Sequence, residues 1–143
     1  GNKLDFDVKS NVLCDLLNEN TPNMRKLFKR CGGFDCLINE MITTGDDTLR
    51  TNLLNTLTNL SSDSKFAKNL TTTPFLAQDL CFMFSTHTHH RSKLLTFIMN
   101  ISNYFNDDDI QDHVIPVLGI NHLEDEVSCN LFKKILCMRK ISE

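Results

Sequence analysis

The fold is decided by residues 48–61, which read TLRTNLLNTLTNLS. Leucines recur in this segment with the period of an α-helix, so their side chains fall on one stripe. These leucines are Leu49, Leu53, Leu54, Leu57 and Leu60. The remaining arginine, threonine and asparagine residues lie off the stripe. Asp46 and Asp47 follow Gly45 and mark the start of the helix, because carboxylates stabilise a first helical turn.

The same pattern returns about every 41 residues along the chain. Short apolar runs open at positions 33, 74 and 116. Matching segments close at Asn59-Leu60-Ser61, Asn100-Ile101-Ser102 and Lys140-Ile141-Ser142. A fixed period near 40 residues is typical of α-solenoids, in which each helical unit packs only on its neighbours. We therefore predict an all-α repeat protein.

We expect one helical repeat domain that spans residues 1–143. Its predicted units are a partial unit at 1–22, followed by 23–63, 64–106 and 107–143. Helices are expected near residues 7–18, 34–43, 47–60, 75–85, 89–104 and 124–141. Asn23 and Ser64 are predicted helix caps, and Pro74 and Pro116 are predicted first residues of helices.

Composition and charge exclude several classes of protein. Hydrophobic residues make up 41% and charged residues 23% of the chain, which is an ordinary globular balance. The net charge of −3 argues against broad, phosphate-driven binding of nucleic acid. No apolar run reaches the roughly 18 residues of a membrane span, and no signal-peptide pattern is present. We expect no direct contact with nucleic acid or membrane.

The six cysteines are interpreted as reduced thiols. Most lie within apolar helical patterns, where cysteine behaves as a small hydrophobic residue of the core. No CxxC pair occurs, and a core of this size needs no disulfides. We expect an intracellular protein, either cytoplasmic or nuclear.

Residues 31–38 together with residues 48–61 resemble an armadillo repeat. The shared pattern is a double glycine, an apolar helix, a Gly-Asp break and a third helix that ends in Asn-Leu-Ser. The resemblance implies a short right-handed α-solenoid of three to four armadillo-like repeats. In that family the third helices line a groove, and an asparagine near each helix end bonds the backbone of an extended peptide.

By this resemblance, Asn59 and Asn100 hold the place of the peptide-binding asparagines. Importin-like members also carry a tryptophan one turn earlier, but this chain has no tryptophan. Asn55 and Thr96 occupy those places, and Lys140 replaces the asparagine of the last unit. A side-chain amide offers an acceptor and two donors, which match a peptide unit. The predicted partner-binding residues are Asn52, Asn55, Asn59, Thr96, Asn100 and Lys140.

The sequence thus predicts a non-enzymatic module that binds a peptide or helical segment of a protein partner. The alternative is a structural assembly domain within a larger protein. A short solenoid exposes apolar faces at its end units, and a second copy of the chain would cover such a face. The candidate face for a homo-oligomer comprises Leu131, Phe132 and Leu136.

Two further clusters carry alternative interpretations. Basic residues gather at positions 25, 26, 29 and 30 and at positions 133, 134, 139 and 140, either as solvated helix ends or as docking sites for an acidic partner. His87, His89 and His90 follow Cys81, but they lack the spaced second ligand pair of a zinc site. No nucleophile elbow, phosphate-binding glycine loop or dinucleotide motif occurs. We expect no metal, no cofactor and no catalysis.

Overall fold

The computed structural model describes residues 11–12 and 14–116, together with Lys133 and Cys137. All regular elements in these residues are helices, and none of these residues forms a strand. The predicted all-α class is confirmed, whereas the right-handed solenoid arrangement stays a prediction. The chain divides into two compact units, Gly1–Pro74 and Phe75–Glu143, and each is described by itself.

Five helices form the described part of the first unit. They are α1 with helical residues 11–12 and 14–19, α2 (Pro22–Cys31), α3 (Gly33–Thr43), α4 (Asp47–Leu60) and α5 (Ser64–Leu70). Helix α2 packs on α3 and on α5, and α3 packs on α4. The helices predicted at 34–43 and 47–60 are confirmed.

The caps of α2 and α5 lie one or two residues before the predicted caps. Thr21 caps α2, because its hydroxyl accepts a hydrogen bond from an amide of the first turn. Asp63 caps α5 in the same way through its carboxylate. Asn23 and Ser64 lie inside these helices, so the prediction that they are caps is wrong. The predicted start of α4 is confirmed, since Asp46 accepts hydrogen bonds from two amides of α4.

The turn between α2 and α3 is built on two glycines. Gly32 has a φ of 74°, the left-handed conformation that glycine adopts without strain. Gly33 follows directly, and the ring of Phe28 lies against its α-carbon: a methyl group there would lie 3.1 Å from Cε1 of Phe28 and closer still to Cδ1. The Phe28 ring stacks on Phe34 at 5.5 Å between ring centroids, and Phe34 meets Phe66 of α5 edge-on at 5.6 Å.

The leucine stripe of α4 lies in the core of the first unit. Leu53, Leu54 and Leu57 expose at most 1% of their surface. Burial of each such side chain stabilises the fold by about 1.5–3 kcal/mol. The stripe identified in the sequence is therefore the buried face of α4.

Arg50 is buried, although the sequence pattern places it off the stripe. Its guanidinium lies at the end of α3, where Nε donates to the carbonyl oxygen of Met41 at 3.0 Å and Nη2 donates to that of Thr44. Nη1 pairs with Asp47 at 3.2 Å. The arginine satisfies carbonyls that a helix end leaves unpaired, and this hydrogen bonding permits its burial.

The described part of the second unit contains two helices of 11 residues each, α6 (Leu76–Thr86) and α7 (Arg91–Ile101). Tight turns at Thr88–His90 and Ser102–Tyr104 flank α7, so the helix predicted at 89–104 is shorter than expected. A short helix α8 (Asp107–Asp109) leads into a π-helical turn, Ile110–Val114, which packs on α6. Helix α6 also packs on α7.

Neither Pro74 nor Pro116 is the first residue of a helix, so this prediction is wrong for both prolines. Phe75 separates Pro74 from α6 and has a φ of 61°, so the chain is left-handed at this position and the helix begins only afterwards. Pro116 lies in the helical stretch that continues the π-helical turn. The helix predicted at 124–141 lies outside the described residues, except for Lys133 and Cys137.

The cysteines differ in their surroundings. Cys81 is buried in α6, and burial raises the pKa of its thiol to about 12. Cys31 and Cys36 are exposed, contrary to the expectation of core positions. Among the described helices, none has the length and apolar character that a membrane crossing requires.

Gly33→Ala tests the close approach of Phe28. The new methyl group overlaps the ring, so we expect the free energy of unfolding to fall by about 1–3 kcal/mol, the usual effect of overpacking. Urea unfolding measures the change. Gly45→Ala is the matched control, because no atom lies within 4 Å of a methyl group there. Equal losses for both variants would contradict the packing described.

Candidate functional site

Three of the predicted asparagines line one cavity in the first unit. Asn52, Asn55 and Asn59 are spaced by three and four residues, so they lie on one side of α4. Together with Thr56 they form one wall of a cavity of about 450 Å³. The other wall belongs to α1 and comprises Asn11, Cys14, Asp15 and Asn18. We call this site the asparagine cavity.

Asn55 carries an unpaired acceptor in the asparagine cavity. Its Oδ1 atom is buried and accepts no hydrogen bond from the residues that the structure describes. An unpaired buried acceptor costs about 1–3 kcal/mol, and this cost is recovered when the Asn55 side chain turns Oδ1 toward an N–H group bound in the cavity. Asn52 and Asn59 are exposed on the same side of α4. Their amides are accessible to a ligand that enters the cavity.

The described lining of the asparagine cavity carries little charge near pH 7. Cys14 is half-buried, and burial raises the pKa of its thiol, although a hydrogen bond with Thr56 acts in the opposite direction. The thiol is therefore neutral near pH 7, and the one carboxylate among the described lining residues belongs to Asp15. A lining of amides with a single carboxylate favours neutral hydrogen-bonding groups over anions.

The remaining predicted residues do not join the asparagine cavity. Thr96 and Asn100 lie on α7 of the second unit, where both are half-buried. The hydroxyl of Thr96 donates to the carbonyl oxygen of Ser92 at 3.3 Å. Lys140 and the candidate oligomer face, which comprises Leu131, Phe132 and Leu136, lie outside the described residues.

The α1 wall of the cavity was missed in the sequence. The signal was present, since Asn11, Asp15 and Asn18 are spaced by four and three residues and form a polar stripe on one helix. What the spacing does not reveal is that this stripe faces the asparagines of α4, about 40 residues further along the chain.

A second concave site lies between α2 and α5. It encloses about 220 Å³ and is lined by Pro22, Arg25, Lys26, Lys65, Lys68 and Asn69. We call it the basic pocket. It contains two residues of the basic cluster predicted on α2. The two lysines of α5 were missed, because they are distant in sequence and join the cluster only through the packing of α5 on α2.

Arg25 is held in place at the floor of the basic pocket. Its exposed fraction is only 7%. Nη1 donates to the backbone oxygen and to Oδ1 of Asn20, at 2.7 and 2.9 Å. Asn20 has a φ of 48°, a left-handed conformation that asparagine tolerates. Its Nδ2 donates in turn to Asp63 at 2.6 Å, so a polar chain connects Arg25 to the cap of α5.

The described residues contain no site for a metal ion. Within residues 11–12, 14–116, 133 and 137, no three His, Cys, Asp or Glu side chains lie close enough to hold a metal ion, and this includes the histidines at 87, 89 and 90. Comparison with protein families, with curated protein sequences and with solved structures gives no match to this chain. The armadillo resemblance therefore stays an expectation based on the sequence motifs.

Variants at Leu57 and Asn55 distinguish the core-facing side of α4 from its cavity-facing side. Leu57→Ala removes a side chain with 1% exposure and is expected to lower the free energy of unfolding by about 2–5 kcal/mol. Asn55→Ala removes the unpaired acceptor together with its cost, so we expect the free energy of unfolding to stay unchanged or to rise by up to about 1–3 kcal/mol. Urea unfolding compares the two variants. A large loss for Asn55→Ala would show that its amide stabilises the free protein.

The pKa of Asp63 determines a pH dependence of stability. Hydrogen bonds from Asn20 and from the Lys65 amide lower this pKa below its ordinary value of 3.8. The carboxylate therefore stabilises the fold fully above pH 3.8, and its contribution disappears as the pH falls through the depressed value. We expect Asp63→Ala to be less stable than the parent by about 0.5–2 kcal/mol at neutral pH. Urea unfolding measured across the acidic range should show this gap closing only below pH 3.8.

Asp63→Asn serves as the control for this titration. Asparagine keeps an acceptor for the amides of α5 but cannot ionise. The stability gap between Asp63→Asn and Asp63→Ala should thus be independent of pH. A parent gap that closes between pH 7 and pH 5 would refute the assignment to Asp63.

Proposed function

We propose that the chain is a non-enzymatic protein-interaction module that binds an extended peptide segment of a protein partner in the asparagine cavity. The observation that carries this proposal is the buried, unpaired Oδ1 of Asn55 in a concave site lined by further amides. An acceptor in this state requires a donor, and the backbone N–H of a peptide is the commonest donor that a protein partner supplies.

The chemistry of the cavity fits a peptide backbone better than a charged ligand. Amide side chains both accept and donate, so they pair with the alternating C=O and N–H groups of an extended chain. Recognition of this type depends little on the sequence of the partner, while neighbouring surfaces supply the specificity. The exposed Asn52 and Asn59 lie on either side of Asn55 along α4 and are placed to continue such pairing.

The proposal extends to the armadillo-like arrangement. In that arrangement, Thr96 and Asn100 of α7 occupy the places on their own repeat that Asn55 and Asn59 occupy on α4, so they are the proposed peptide-binding residues of the second unit. An intracellular setting is part of the proposal, because the five described cysteines are free thiols and three of them are exposed.

A random peptide library displayed on phage and selected on the full chain tests the proposal. We expect selected peptides to lose about 1–3 kcal/mol of binding free energy on Asn55→Ala and on Asn59→Ala, because backbone groups of the peptide then lose their partners. Titration calorimetry with synthetic peptides measures the loss. Asn39→Ala is the control, since Asn39 is exposed on α3 and lies outside the cavity lining.

The backbone mode of recognition has its own test. Methylation of a single peptide nitrogen removes one N–H without changing any side chain. A scan of such peptides should identify one nitrogen whose methylation weakens binding to the parent but not to Asn55→Ala. If every methylated peptide binds like its parent, or if the asparagine variants bind normally, the peptide proposal is wrong. Dimerisation that is insensitive to these variants would instead favour the assembly alternative.

A further inference from the structure

The basic pocket concentrates positive charge on a protein whose net charge is negative. Four cationic side chains line a cavity of about 220 Å³, and none of its lining residues within the described part of the chain is acidic. The chain as a whole carries a net charge of −3. A local excess of cations in a concave site attracts anions, because the low-dielectric walls focus the field.

The three lysines of this pocket differ from Arg25, which the fold uses through its hydrogen bonds with Asn20. Lys26, Lys65 and Lys68 are exposed, and none of them forms an ion pair with a described residue. Lysines that stabilise a surface usually do so by pairing with carboxylates or by lying near helix ends. Of the three, only Lys68 lies in the last turn of its helix. The charges on Lys26 and Lys65 have no such role.

Arg25 differs from these lysines because it is fixed. Asn20 occupies its Nη1 atom through two hydrogen bonds, while Nε and Nη2 donate to none of the described residues. A guanidinium binds two oxygens of one phosphate group through adjacent N–H donors. The held side chain therefore presents its remaining donors in a preorganised form, and little conformational entropy is lost on binding.

From this geometry we infer that the basic pocket binds a phosphate group carried on a phosphoserine or phosphothreonine of a protein segment. A phosphate monoester carries a charge of about −1.5 to −2 at neutral pH, which matches several converging cations better than one carboxylate does. The site is separate from the asparagine cavity, since α2 and α5 line it and α1 and α4 line the other.

Two features favour a protein segment as the carrier. Lys29 and Arg30 extend the basic surface along α2 beyond the pocket, so the charged surface is longer than a single phosphate. Asn69 also lines the pocket: its Nδ2 donates to the Lys65 carbonyl, and its Oδ1 is left to accept from a ligand such as a peptide N–H. The backbone of a protein segment offers such N–H donors beside its phosphate group.

The test uses two peptide libraries with degenerate flanking positions, one with a central phosphoserine and one with serine. Fluorescence anisotropy measures their binding to the full chain. We expect the phosphorylated library to bind roughly tenfold more tightly or better. The double variant Lys65→Ala/Lys68→Ala should abolish this preference. The variant Lys93→Ala/Lys133→Ala removes the same charge at exposed lysines outside the pocket and should retain the preference.

Several outcomes would overturn the inference. Equal binding of both libraries excludes phosphate recognition, and equal losses in both lysine variants show an effect of net charge alone. Inorganic phosphate that competes as well as the phosphopeptides shows that the pocket takes the bare ion and not a protein segment. Pocket-dependent binding to phosphatidylserine vesicles without a preference for phosphopeptides assigns the surface to lipid instead.

Discussion

The first unit depends on the contact between the ring of Phe28 and the bare α-carbon of Gly33. The absence of a side chain at this glycine lets α3 begin directly after α2, and Gly32 supplies the left-handed turn between them. Phe34 then stacks on Phe28 and reaches Phe66, which brings α5 against α2. The lysines of α5 share a pocket with the cations of α2 only because this aromatic cluster joins the two helices.

Much of the first unit follows from the sequence, whereas its polar contacts do not. The leucine period of α4 predicts both the helix and its buried face, since local periodicity and burial agree. Arg50 breaks that agreement, because its burial depends on carbonyls at the end of α3 and a long side chain reaches them whatever its place in the pattern. The predicted caps lie one or two residues from the observed caps. Asn23 and Ser64 are residue types that often cap helices, but it is Thr21 and Asp63 that have the extended backbone conformation of a cap.

The candidate site shows the same division between local and tertiary information. The spacing of Asn52, Asn55 and Asn59 predicts a shared helix face, and in the structure all three line one cavity. Neither the opposite wall on α1 nor the unpaired state of Asn55 is encoded in local spacing, because both arise from the packing of segments far apart in the chain. Asn20 follows α1 directly and holds Arg25, so one short connection joins the asparagine cavity to the basic pocket.

Arg50 limits how the connection between α3 and α4 can change in length. Surface connections usually tolerate inserted residues at small entropic expense. Here the guanidinium of α4 is bonded to carbonyl oxygens of Met41 and Thr44 across a connection of only three residues, Thr44 to Asp46. A longer connection would move Arg50 away from those carbonyl oxygens and leave its buried charge without these hydrogen bonds. This hairpin should therefore keep its length wherever the chain is used as an engineering scaffold, and new loops belong at other connections.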